Sequence, residues 1–364
     1  MQICYNICVG LSVAGAWCAV MPEKGEVMKK VAIVGFGFMG RTHYGIWKKL
    51  AGAKVAAVCD SNLAQITATV KGNLDTADNS ALPKSVKVYA DFDEMLAKEP
   101  LDIVDVTLPT PLHPVMAVKA LAKGLNVLCE KPMAIDAKTC DRMLAAAKKS
   151  KGLLFIAQCV RFWPEYVLLK KYVESGKFGK VVAADFIRYA PAPGWNRGGK
   201  SWFLDESKSG GVALDMHLHD TDFIHYLFGM PKSVASTAHL HKDGWTDFIS
   251  TTYGYDGMVV TSSSSWAMAP TFAWESGFRV VFEKAVVQFD GLLKTPLLVY
   301  PTKGKPFTPK VPAQSGYEAE IRHFLALVSG RKVPHVITAK EARDSVSIVD
   351  AERKSARTGR VVKL

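Results

Sequence analysis

Residues 210–222 of this chain read Gly-Gly-Val-Ala-Leu-Asp-Met-His-Leu-His-Asp-Thr-Asp, which crowds carboxylates and imidazoles into one short stretch behind two glycines. Such groups transfer protons. An imidazole titrates near neutral pH, and a carboxylate four residues before it can fix the ring's tautomer and raise its basicity. If residues 215–222 are helical, Asp215, His219 and Asp222 share one face, whereas His217 points roughly the opposite way. The competing reading is a plain helix start, with acids placed where they complement the helix dipole. The elements around the stretch have to decide.

A second chemical signal lies near the front. Residues 30–34 are a short β-branched run, the form of a buried parallel strand, and they lead into Gly35-Phe36-Gly37-Phe38-Met39-Gly40. A helix-compatible segment follows, then a second strand at 55–59 and Asp60, 20 residues after Gly40. This is the dinucleotide-binding arrangement: Gly35 for a tight turn, Gly37 for close approach to a pyrophosphate, Gly40 for helix–strand packing, and Asp60 for the ribose hydroxyls. Asp60 would repel a 2′-phosphate and Ser61-Asn62 supply no cation, so NAD is expected rather than NADP.

The alternation continues through strands at 86–89, 103–108, 126–129 and 153–157. Residues 71–85 read as a loop, and Pro111 as the first residue of a helix. Ligands of a doubly wound sheet bind beyond the carboxyl ends of its strands. Pro109, Thr110, His113, Glu130 and Lys131 fall at that edge and are the further cofactor-contact candidates.

Length and charge bound these readings. The 364 residues suffice for two domains, and 49% hydrophobic with 22% charged residues is an ordinary globular composition. The net charge of +12 is carried by scattered Lys and Arg pairs interleaved with acids. That argues for anionic small molecules and against nucleic acid, which favours a clustered stripe. Seven cysteines without metal-ligand spacing predict free thiols and a reducing, cytoplasmic setting. No basic residue precedes the apolar residues 7–21, which are also too short to span a membrane. Residues 1–27 therefore read as an extension or mis-start before Met28, with an export signal as the alternative.

With these residues placed, the chain resembles the glucose–fructose oxidoreductase/inositol dehydrogenase/rhizopine-catabolism (Gfo/Idh/MocA) family. The resemblance rests on the glycine turn followed by His43, on Thr110-Pro111 with His113, on Glu130-Lys131-Pro132, and on Gly210-Gly211 with Asp215, His219 and Asp222. It spans residues 28–364. It implies a Rossmann domain at 28–157 and an α+β domain with a large, mostly antiparallel sheet at 158–364. It also implies NAD(P)-dependent redox chemistry on a sugar, cyclitol or polyol, with Lys131, Asp215 and His219 as the catalytic set. The Lys131-Pro132 bond is expected to be cis. Where relatives often carry glycine between the aspartate and the histidine, this chain has His217.

The second half agrees with that layout. Strands with a period of two are read at 181–189, 234–241, 248–255, 259–266, 278–282 and 285–289, and helices at 318–328 and 338–356. The polar run 261–265 predicts a sheet face that is wet or meets another subunit, and similar proteins form dimers or tetramers there. Arg161, Trp163, Trp195, Arg197, Trp202 and His217 are the substrate-contact candidates, since aromatic and basic groups stack on sugar faces and bind hydroxyls. His217 and His219 diverge on a helix, and His239 and His241 can share a strand face but lack a third ligand, so no metal site is expected.

Three functions compete on these grounds. They are a dehydrogenase, a hydrolase or lyase that oxidises a glycoside transiently with retained NAD, and a non-catalytic NAD-binding protein.

Overall fold

Near-continuous apolar runs form a sheet covered on both faces. Strands β1 (Lys29–Val34), β2 (Ala53–Cys59), β3 (Lys87–Tyr89), β4 (Ile103–Val106), β5 (Asn126–Glu130) and β6 (Leu154–Ala157) alternate with helices α1 (Phe38–Trp47), α2 (Ala64–Thr67), α3 (Phe92–Lys98), α4 (His113–Ala122) and α5 (Ala137–Lys149). The strand order is β3-β2-β1-β4-β5-β6, and every pairing is parallel. The order reverses between β1 and β4, which opens the ligand crevice at their carboxyl ends. This computed structural model describes residues 27–72, 76–193, 202–293 and 296–364. The extension before Val27 and the candidates Trp195 and Arg197 lie outside the described residues.

The remaining elements are α6 (Pro164–Ser175), β7 (Val181–Tyr189), α7 (Glu206–Ser209), a π-helical turn (Ala213–His217), α8 (Leu218–Phe228), β8 (Ser233–Leu240), β9 (Thr246–Tyr255), β10 (Met258–Ser265), β11 (Glu275–Phe282), β12 (Ala285–Asp290), β13 (Leu297–Pro301), α9 (Gly316–Val328), α10 (Ala339–Thr358) and β14 (Val362–Lys363). Eight strands make one sheet in the order β13-β12-β11-β7-β10-β9-β8-β14, antiparallel except between β7 and β10. Thr338 caps α10 in a reciprocal capping box with Glu341. No described helix is long and apolar enough to cross a membrane.

Two readings change here. Pro111 lies in a 3-10 turn (Thr110–Leu112), and α4 starts at His113 with Pro114 in its first turn. Strands β13 and β14 carry no alternation long enough to read, and both sit at sheet edges, where proline is tolerated. The polar run 261–265 divides between the two faces of its sheet. Strand alternation sends Ser262 and Ser264 into the interior and leaves Thr261 and Ser263 on the open side, bonded to Asp185 and Tyr189.

The interior beneath α8 holds charge. Arg188 of β7 makes a two-pronged bond to Asp220, at 3.0 and 2.8 Å. Arg161 does the same to Asp222, both at 2.8 Å, and also donates to the Val336 carbonyl. Arg161 is 1% exposed and stacks on Tyr226, so its place as a substrate contact is corrected: every face of the guanidinium is occupied by protein. Replacing Arg161 by Leu strands a buried carboxylate, and we expect it to cost about 3–5 kcal/mol in urea unfolding, with much of that loss recovered when Asp222→Leu is added. A single variant within about 1 kcal/mol of wild type would make this pair no more than a surface-like contact.

Candidate active site

The glycine turn joins β1 to α1 at the crevice. Gly35 has φ +92°, and a Cβ on Gly40 would lie 2.0 Å from the Gly35 carbonyl oxygen, so no side chain fits at that crossing. Gly37 differs: a Cβ there meets nothing within 4 Å. Its Cα faces open space at the start of α1, whose first amides have no side-chain cap. Bare helix-start amides beside open space suit a pyrophosphate. Asp60, half-buried at the end of β2, accepts from Phe36 N at 2.8 Å through Oδ2 and from Asn62 N at 2.9 Å through Oδ1. Those two bonds aim the carboxylate and leave lone pairs for hydroxyl donors.

Two of the side chains between these glycines pack on protein. The Phe36 ring is fully buried, edge-on to Tyr44 and under the Arg41 guanidinium. Phe38 lies over Gly72 of the following loop, and Met39 is half-buried on α1. Arg41 donates to the carbonyls of Gln65, Ile66 and Ala68, which ties the end of α2 to the turn. Thr107 Oγ1 donates to the Gly35 carbonyl at 2.6 Å. Pro109 is half-buried and Thr110 is buried in the turn after β4.

Two cofactor candidates turn inward. Glu130 is 6% exposed, with Oε1 at 3.1 Å from His43 Nε2 and Oε2 accepting from Lys131 N. His43 Nδ1 reaches Asp105 at 2.9 Å, and Trp47 Nε1 donates to the same carboxylate. Burial alone would lower the pKa of His43; Asp105 and Glu130 outweigh it and hold the ring protonated. His113 is likewise buried, its ring nitrogens 2.8 Å from the Pro132 carbonyl and 2.7 Å from that of Leu108. Both residues brace the turn that presents Lys131. The Lys131–Pro132 bond is cis.

Lys131 Nζ donates to the Asp215 backbone carbonyl at 2.6 Å and to Asp215 Oδ1 at 3.2 Å, and both side chains stay partly accessible. Residues 213–217 form a π-turn, which adds a residue to the helical circuit and rotates the positions after it. The expected face is therefore broken. Asp215 goes to Lys131, Asp222 goes to Arg161, and Asp215 makes no bond to His219. His219 is half-buried, its Nδ1 is enclosed without a hydrogen-bond partner, and its pKa sits well below 6.5 because of burial first, then Lys131 and Arg188.

His217 is corrected as a substrate contact. It is fully buried on the sheet side, with Nδ1 at 3.0 Å from Ser264 Oγ and Nε2 at 3.3 Å from Tyr253 OH. Trp163 stands edge-on to Tyr317. Trp202 stacks on Phe203 at 4.1 Å, ahead of α7, which packs against the Thr110–Leu112 turn at the crevice edge. Sequence reading missed the partners Asp105, Arg188, Tyr253 and Glu352. Asp105 had left a trace, an acid inside the apolar run 103–106.

Comparison with known proteins follows the same division. Residues 29–158 match the profile described as the oxidoreductase family with an NAD-binding Rossmann fold, and residues 166–288 match the GFO/IDH/MocA C-terminal domain. A 2,7-anhydro-N-acetylneuraminate hydratase of Mediterraneibacter gnavus is 32% identical over 57% of this chain and 51% of its own length. The chain thus spans about half the length of the first curated relatives it matches. A trans-1,2-dihydrobenzene-1,2-diol dehydrogenase of Xenopus tropicalis is 26% identical over 79% of this chain and 88% of its own. Among solved structures, levoglucosan dehydrogenase with NADH and levoglucosan shares the fold at TM-score 0.77 and 19% identity, covering 92% of this chain and 99% of its own. The aldose–aldose oxidoreductase of Caulobacter crescentus, complexed with glycerol, does so at TM-score 0.77 and 22% identity, covering 93% and 100%.

The glycines make a paired prediction. Gly37→Val puts its side chain into the open space and should weaken NAD binding at least roughly tenfold, with thermal stability nearly unchanged. Gly40→Val drives atoms into a backbone carbonyl and should lower stability itself. Titration of nucleotide fluorescence alongside thermal melts checks both, and equal effects from the two variants would refute the difference in roles.

Proposed function

The chain belongs to the Gfo/Idh/MocA family of NAD-binding oxidoreductases, and we propose that it transfers hydride between NAD and a hydroxyl-bearing carbon of a sugar, cyclitol or related polyol. The observation that carries this reading is Lys131, held on Asp215 beside a neutral His219 at the carboxyl edge of the nucleotide-binding sheet. When bound, NAD supplies a nicotinamide ring that takes hydride from the carbinol carbon. The glycine turn and the α1 amides hold its pyrophosphate, and Asp60 takes the ribose hydroxyls and disfavours a 2′-phosphate.

His219 receives the hydroxyl proton through Nε2, since Nδ1 is enclosed. Lys131 donates a hydrogen bond to the same oxygen and stabilises the negative charge that develops there. Asp215 acts on Lys131 and not on the imidazole. In reverse, His219 returns the proton as the carbonyl is reduced.

Assembly through the open sheet face as a homodimer or homotetramer belongs to the same reading. Val259 and Tyr300 are exposed there beside half-buried Phe248 and Ile187. A reducing cytoplasmic setting is supported by Cys59, Cys129, Cys140 and Cys159, all free and buried.

The hydratase among the relatives favours a second reading. Hydration changes no net oxidation state: hydride would pass from a carbinol carbon to a retained NAD while His219 takes the hydroxyl proton. Loss of the adjacent proton would break the C–O bond, water would add to the resulting double bond, and the hydride and proton would return to the carbonyl.

A panel of sugars, cyclitols and glycosides with NAD and NADP separates the two. NADH formation from a free polyol supports the first; product from a glycoside without net NADH supports the second. NAD binding without any turnover overturns both. His219→Ala and Lys131→Ala should each reduce turnover by roughly 100-fold or more while NAD affinity stays within a few-fold. Near-normal turnover in both would remove these assignments. The base form of His219 is the neutral one, and its depressed pKa keeps it neutral as pH falls through 6.5. The oxidation kcat/KM should therefore hold flat down to that pH, and an acid limb centred at or above 6.5 would contradict a neutral buried base.

A further inference from the structure

His217 stands between two residues assigned to chemistry, yet it faces away from the crevice. It closes the π-turn whose centre is Asp215. A π-turn is a wide, uncommon circuit that depends on its surroundings to persist. Here the surroundings are specific. The two ring nitrogens of His217 span neighbouring strands, Ser264 on β10 at 3.0 Å and Tyr253 on β9 at 3.3 Å. Tyr253 OH lies 3.0 Å from Thr221 Oγ1 on α8, Thr221 donates to Glu352 Oε1 of α10 at 3.1 Å, and Glu352 Oε2 is 3.7 Å from His217 Nε2. His217, Thr221, Ser264 and Glu352 are all fully buried. A buried polar network that is bonded throughout permits one arrangement and penalises others.

We infer that His217 is a positioning residue: by tying the π-turn to β9 and β10 it sets where the carbonyl and carboxylate of Asp215 meet Lys131. The inference rests on the proposed role of Lys131, but the geometry it predicts can be read without turnover. A small residue at 217 would leave the turn free to relax toward an α-helical circuit, carrying both oxygens of Asp215 away from the ammonium. The ring does this as a neutral group. Burial, with Arg188 adding to it, lowers its pKa to about 3, and burial lifts the Glu352 carboxyl to about 7. Lys131 bonds to the turn, and Arg188, paired with Asp220, acts on the ring.

The test compares wild type with His217→Leu and His217→Asn, the latter retaining a hydrogen-bonding group where Nδ1 meets Ser264. Reductive methylation of the cofactor-free protein, read at each lysine by peptide mass spectrometry, reports how firmly Lys131 is held. Exposed Lys208 serves as the internal reference. We expect Lys131 to label slowly in wild type, several-fold faster in His217→Leu, and at an intermediate rate in His217→Asn, with Lys208 unchanged. Where turnover is measurable, His217→Leu should lower kcat by roughly tenfold without altering the KM for NAD, and its loss should overlap with that of Asp215→Asn instead of adding to it.

A folded, NAD-binding His217→Leu protein with wild-type Lys131 labelling overturns the inference, as do fully additive losses. If His217→Leu does not fold, Ser264→Ala and Tyr253→Phe each remove one tether and are read in the same way. A wild type without turnover but with the predicted labelling pattern would count against the enzymatic reading alone.

Discussion

One ammonium group ties the carboxyl edge of the first sheet to the π-turn of the second half. Lys131 leaves the end of a parallel strand and meets both the carbonyl and the carboxylate of Asp215, 84 positions further along the chain. Two acceptors from one residue define the lysine's position more tightly than a single ion pair would, because the side chain must satisfy both directions at once. Each end is held from behind. Glu130 accepts from the Lys131 amide, and His113 contacts the Pro132 carbonyl. On the other side, the π-turn is anchored to the second sheet. The site is an alignment between two separately braced elements.

The bracing is expensive in desolvation, and the structure meets that cost by leaving few charges unpaired. His43 lies between Asp105 and Glu130, Arg188 on Asp220, and Arg161 on Asp222. Each of the two arginine pairs uses the planar guanidinium against both carboxylate oxygens, the geometry in which attraction best offsets the loss of water. Asp220 and Asp222 explain how a helix as apolar as α8 carries acids on buried positions. Near the crevice the rule relaxes. The Nδ1 of His219 is enclosed without a partner, and burial, with Lys131 and Arg188 adding to it, keeps the ring neutral.

Much of the fold was legible before any coordinates. The glycine turn, the six parallel strands and the acid after β2 follow from local rules: β-branched runs, turn residues and the spacing of Asp60. The second sheet was readable where strands were long enough to alternate, and its two edge strands were not. The site was legible as a set of residue types, and less so as a set of contacts. Glu130, His113 and Arg161 carry groups that bind ligands well, and all three are committed to protein partners instead. The residue types do not distinguish the two uses, since the chemistry that holds a phosphate or a hydroxyl also holds a buried carbonyl or carboxylate.

The sequence by itself determined the nucleotide-binding architecture, the acid at the end of the second strand, and the placement of Lys131 at a strand's carboxyl end. These depend on neighbours within a few residues or within one βαβ unit. Tertiary structure alone decided who partners whom around residues 210–222. An ideal helix would have lined up Asp215, His219 and Asp222. The π-turn adds a residue to that circuit, and packing against β9 and β10 sends Asp215 to Lys131, His217 to the sheet and Asp222 to Arg161. No local pattern encodes that rotation, because its stability comes from side chains dozens of residues away.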